Sequence, residues 1–149
     1  MHRWRAGSDD TGSAALEFLV VGLILLVPIV YLIVTLGIIQ RQALGVEAAS
    51  RHLARIVATS EPEEAGRAMN VVIDAIVDEY GIDGRTVRVR TSCAPSAHGC
   101  PSPGAVVSVV VQAEVRLPLV PDLWGLDEMA RVPVESTGVQ RVSRLRSDP

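Results

Sequence analysis

The chain has 149 residues, enough for one ordinary domain at most, with a formal net charge of −3 and 3% aromatic residues. So mild an acidity and so few rings for stacking argue against a nucleic-acid binder. All 14 basic residues are arginine and none is lysine, a compositional bias that marks no site.

Residues 1–12, M-H-R-W-R-A-G-S-D-D-T-G, are polar and aperiodic and read as an unstructured leader. From Ser13 to Gln40 the one charge is Glu17, and residues 18–39 are 22 in a row without any. At 1.5 Å per residue such a helix is roughly 33 Å long, close to the hydrocarbon thickness of a bilayer. The rest of the chain is too small to enclose this helix on all sides, which argues against a soluble core helix. A cleaved signal peptide has a shorter apolar region ending near a small-x-small site, whereas this run continues into Gln40-Arg41-Gln42. A single membrane span is therefore expected, with Pro28 inside it freeing the carbonyl of Ile24.

Beyond Ile39 the pattern turns amphipathic. Leu44, Ala48, Leu53, Ile56 and Val57 alternate with Arg41, Glu47, Arg51 and Arg55, so the helix is expected to run on to about Ala58. About 90 residues then remain for a small folded domain. Ser60 and Glu63 have the spacing of a capping box, Pro62 suits a first helical turn and Gly81 a stop, which predicts a helix over residues 61–80. Its stripe of Ala65, Met69, Val72, Ile76 and Tyr80 reads as core. After Gly84 the period changes to two. Val87 and Val89 alternate with Arg88 and Arg90 in one strand. Val107, Val109, Val111 and Val115 share a face of a second strand, over residues 105–117, which Pro118 and Pro121 end. Residues 132–142 read as a final strand or two. Two helices followed by strands predict an α+β domain with an antiparallel sheet.

Catalytic constellations are nearly absent. Cys93, His98 and Cys100 offer three possible zinc ligands, but no fourth is evident and the spacing is not that of a zinc ribbon or finger. Cys93 and Cys100 lie in one turn-rich stretch and suggest a disulfide in an oxidising compartment. Glu61, Glu63 and Glu64 suit the positive end of a helix dipole. No phosphate-binding glycine loop, nucleophile elbow or H-E-x-x-H motif is present, so neither an enzyme nor a cofactor is expected.

Glu17 needs an explanation, because a carboxylate at the edge of an apolar segment is costly unless it reaches the interface or a partner. Its context is Gly12-Ser13-Ala14-Ala15-Leu16-Glu17-Phe18, followed at once by the apolar run. This string resembles the leader junction of type IV pilins and pseudopilins. Within that group the chain is similar to the TadE family of the tight-adherence (Tad, or Flp) pilus apparatus. The similarity extends to the helix carrying Ala48-Ala49-Ser50-Arg51 and, more loosely, to the valine-rich strand ending in Leu117-Pro118-Leu119-Val120-Pro121. The Cys93–Cys100 loop matches no motif of that family.

The resemblance implies a minor pilin or pseudopilin with a leader at 1–12, a membrane helix and its extension at 13–58, and an extracytoplasmic, pilin-like α+β domain at 59–149. It implies a cut between Gly12 and Ser13 by a prepilin peptidase in the cytoplasm, and an assembly role for Glu17 and Phe18. The new α-amine of Ser13 and the carboxylate of Glu17 would then pair within a chain or between neighbours. The partners implied are other pilin-like subunits, an inner-membrane pilus platform, the peptidase and membrane lipid. The localisation implied is a cell membrane, N-terminus inside. Charge does not decide the orientation: Arg3 and Arg5 precede the span, Arg41, Arg51 and Arg55 follow it. The competing reading is a membrane-anchored extracytoplasmic binding module without a pilus role.

Overall fold

The computed structural model describes residues 11–95, 100–118, 120 and 129–145. Most of the expected leader, together with His98, Leu119 and Pro121, lies outside the described residues. The elements are a helix α1 (Thr11–Thr59), a helix α2 (Pro62–Tyr80), a 3₁₀ turn (Gly84–Thr86) and three strands, β1 (Arg88–Ala94), β2 (Val106–Arg116) and β3 (Arg131–Arg141). The sheet runs β1-β2-β3 with both pairings antiparallel, so the architecture is α+β as expected. The chain divides into two compact units, Met1–Leu36 and Gly37–Pro149.

In the first unit the described part is the N-terminal stretch of α1. Pro28 sits inside the helix. The apolar side chains from Leu16 to Leu36 are largely exposed on it, including Phe18, Leu25 and Ile33.

The second unit is a head built on β2. Its residues alternate strictly: Val107, Val109, Val111, Ala113 and Val115 are buried, and their neighbours face outward. A strand with one covered face takes this period because successive side chains point to opposite sides. Each buried valine contributes about 1.5–3 kcal/mol relative to exposure. Val46, Ala49, Leu53 and Val57 of α1 pack on that face, with Ile76, Met69 and Val72 from the expected stripe of α2.

Two expectations for the helices need correction. Leu44, placed in the apolar stripe of the extension, is 59% exposed, while Val46 and Ser50 are 1% and 0% exposed. The covered face is rotated because the closest approach is set by two glycines. A Cβ on Gly45 would stand 2.6 Å from Cγ of Tyr80, so the missing side chain makes room for that ring. A Cβ on Gly138 of β3 would stand 2.0 Å from the carbonyl oxygen of Ser50, so α1 lies with its backbone directly on the strand. Ser50, buried at this contact, donates to the carbonyl of Glu47 at 2.9 Å and lies 3.2 Å from the hydroxyl of Ser136.

The second correction concerns the start of α2. The N-cap is Glu61 rather than Ser60, its side chain makes no capping bond, and the Ser60 N–H that Glu63 would take in a capping box donates to the carbonyl of Ile56 at 2.9 Å. Pro62 explains this: it holds the preceding residue extended, and Glu61 has φ −68° and ψ 152°. The helix therefore begins one residue later than a box needs, with Glu63 and Glu64 in its first turn. The stop is as expected. Gly81 adopts a left-handed φ of 67°, and its N–H closes the helix on the carbonyl of Val77.

Candidate functional site

Three features carry chemistry. The first is the junction at the head of α1. The helical backbone starts at Thr11, so Gly12 and Ser13 lie in its first turn and Glu17 one turn further on. Glu17 is exposed, and Phe18 beside it is 79% exposed. The helix Ala14–Thr59 contains a stretch long and apolar enough to cross a membrane, and none of that stretch is buried against protein. A sequence this apolar that covers none of its surface with its own chain is suited to a lipid or to another apolar helix.

The second feature is the cysteine pair. Cys93, in β1 opposite Val107, and Cys100 have their sulfurs at bonding distance and their Cα atoms 5.6 Å apart, within the range a disulfide spans. Among the described residues no three His, Cys, Asp or Glu side chains converge as a metal-ligand set.

The third was not legible as a unit in the sequence. Asp83, Glu114 and four arginines line a groove of about 420 Å³ at the end of the sheet where β1 and β3 begin and β2 stops. Asp83 accepts from Arg85 at 3.2 Å through each of its two oxygens and pairs with Arg116 at 3.1 Å. Arg131 meets Glu114 at 3.4 Å, and Arg88 donates to the carbonyls of Arg85 and Val87. Thr86 ties the parts together, donating to the carbonyl of Asp83 at 2.8 Å and accepting the N–H of Glu114 at 3.1 Å. The hydrogen bonds from the side chain and backbone of Arg85, opposed by some desolvation, hold the Asp83 carboxyl below the usual carboxylate range. Period-two alternation marks Arg88 as outward-facing, but only the antiparallel register brings Arg116, which pairs with Asp83, opposite Arg131, which pairs with Glu114.

Across the outer face of the sheet a further polar row joins the three strands. Arg90 donates to Gln112 at 2.7 Å, and Gln112 donates to Glu135. These pairs tie the strands on the solvent side, where exposed ion pairs and amide bridges are worth little singly.

No family model, no curated protein and no solved structure matches this chain.

Proposed function

We propose that this chain is a TadE-like minor pilin or pseudopilin, a structural and non-catalytic part of a Tad-type pilus or secretion apparatus. The observation that carries it is Glu17. One carboxylate stands a helical turn after Ser13 and directly ahead of an apolar helix whose side chains are uncovered. In this account residues 18–39 span the cell membrane and a prepilin peptidase cuts between Gly12 and Ser13. Glycine at the cut lets the protease approach the backbone closely. The head then lies outside, where the Cys93–Cys100 pair suits an oxidising compartment. The uncovered face of the span packs against other pilin-like helices or a membrane platform.

Glu17 gives the span its register. The α-amine released at Ser13 and the carboxylate have opposite charge, and in a low dielectric each is expensive alone. Pairing between neighbouring subunits removes both costs and sets how far one helix slides along the next. Phe18 stands beside the pair as an apolar contact in the same interface.

The test is a strain in which Glu17→Gln replaces the natural chain. Breaking one side of a partly buried ion pair costs about 3 kcal/mol. The variant keeps the shape, so it should be made, inserted and cut as before, yet fail to co-purify with pilin-like partners and leave few or no pili. Normal piliation in that strain refutes the pairing.

A further inference from the structure

We infer that the arginine groove of the head is a docking site for the phosphate of an anionic lipid headgroup, holding the head against the membrane surface. This rests on the membrane assignment proposed above. The groove contributes +2 from four arginines and two carboxylates. The whole chain is −3, so everything outside the groove sums to −5, since −5 and +2 give −3. Positive charge is therefore concentrated here in a molecule that is otherwise acidic.

The groove is also in the right place. The first polar residues after the apolar run are Gln40, Arg41 and Gln42. Arg41 donates to the carbonyl of Glu79, and Gln42 donates to that of Gly81 at 2.8 Å. Asp83 follows Gly81 by two residues, at most about 7 Å of chain, and Arg116 reaches Asp83 at 3.1 Å. On the other side, β3 descends toward the same level. Ser50 touches Gly138, while Glu135 and Ser136 share a surface pocket with Gln40, Ala43 and Leu44, so Arg131 lies further still toward the start of the head. Within the head the groove thus lies on the side of Gln40, Arg41 and Gln42, the residues that follow the apolar run.

The chemistry fits a phosphate. Guanidinium groups offer planar pairs of donors that match phosphate oxygens, and they are weakly hydrated. Asp83 and Glu114 orient Arg85, Arg116 and Arg131 without neutralising the groove. Arg88 is held by two backbone carbonyls, those of Arg85 and Val87. A bilayer supplies the phosphate at a fixed height, which a free anion does not.

The experiment uses the full chain in lipid nanodiscs of equal phosphatidylcholine and phosphatidylglycerol. Native mass spectrometry reads the lipids retained on the ejected protein, and hydrogen exchange reads the Gly84–Arg88 segment. The natural chain should retain phosphatidylglycerol about fivefold or more over phosphatidylcholine, an effect of the size expected for one arginine at an anionic surface. The Gly84–Arg88 segment should exchange more slowly than in phosphatidylcholine discs. Arg88→Gln, which leaves the three ion pairs of the groove in place, should lower the preference severalfold, and Arg116→Gln with Arg131→Gln should bring it to parity. Arg51→Gln with Arg55→Gln, on the exposed side of α1, should leave it unchanged. Equal retention by the natural chain, or loss of preference in the Arg51/Arg55 variant, overturns the groove as the site. Equal slowing by inorganic phosphate in phosphatidylcholine discs overturns a lipid as the ligand. A chain that will not enter discs at all defeats the membrane assignment and this inference together, whereas a chain that enters without lipid preference defeats the inference alone.

Discussion

Gly138→Ala puts the packing of the head to its sharpest test. The added Cβ would lie 2.0 Å from the carbonyl oxygen of Ser50, 2.3 Å from its carbon and 2.7 Å from the nitrogen of Arg51. All three are backbone atoms of a helix, so no side chain can rotate away. Reaching ordinary van der Waals separation needs a shift of more than about 1 Å between α1 and β3, which loosens Val46, Ala49 and Leu53 from the valine face of β2. Overpacking a well-filled core costs about 1–3 kcal/mol, and a clash between two backbones belongs at the upper end. One effect opposes it: alanine restricts the unfolded chain and on that account stabilises by about 0.4–1 kcal/mol. The net expectation is a loss of about 2 kcal/mol, a fall in Tm of about 8 °C or more for a domain of this size. The assay is thermal unfolding of the full chain in detergent, followed by circular dichroism. Val139→Ala at the next, exposed position serves as control and should move Tm by less than about 2 °C. A Gly138→Ala variant as stable as the natural chain, or more stable, refutes the direct seating of α1 on β3.

Three further outcomes are expected. Mass spectrometry of the membrane-extracted protein should find Ser13 as the N-terminus, and Gly12→Val should leave the chain uncut; an N-terminus beyond Ile39 contradicts the pilin assignment. Peptide mapping without reduction should recover Cys93 and Cys100 as one linked species, and Cys100→Ser should cost about 2–3 kcal/mol through the loop it opens; two free thiols in protein from its native membrane place the head in a reducing compartment. Because the Asp83 carboxyl is held below its ordinary value, its contribution to stability is complete above the unfolded pKa and is lost as pH falls through the lowered folded one. Asp83→Asn should therefore flatten the loss of stability below about pH 5 in acid titrations followed by circular dichroism, and an unchanged acid limb shows that the carboxylate contributes nothing there.

Much of this protein is determined by local composition. The uncharged run of residues 18–39 is an apolar helix, as 22 consecutive uncharged and mostly aliphatic residues of bilayer length predict. The stop of α2 at Gly81 and the alternation of β2 follow equally from residue type, since left-handed backbone favours glycine and a half-covered strand has period two. Glu17 and the two cysteines are visible as single residues or close neighbours for the same reason.

What only the tertiary structure decided is which of several acceptable local choices the contacts select. The extension of α1 offered a stripe through Leu44, but the helix turns Val46 and Ser50 inward because Gly138 and Gly45 are where backbone and ring come close. Ser60 and Glu63 had the spacing of a capping box, and Pro62 displaced it by one residue. The arginine groove draws on positions 83–88, 114–116 and 131, which have no common period. Antiparallel register places Arg116 opposite Arg131, and the turn after α2 brings Asp83 to Arg116. Contacts between residues far apart in the chain depend on how whole elements pack, and no local propensity encodes that.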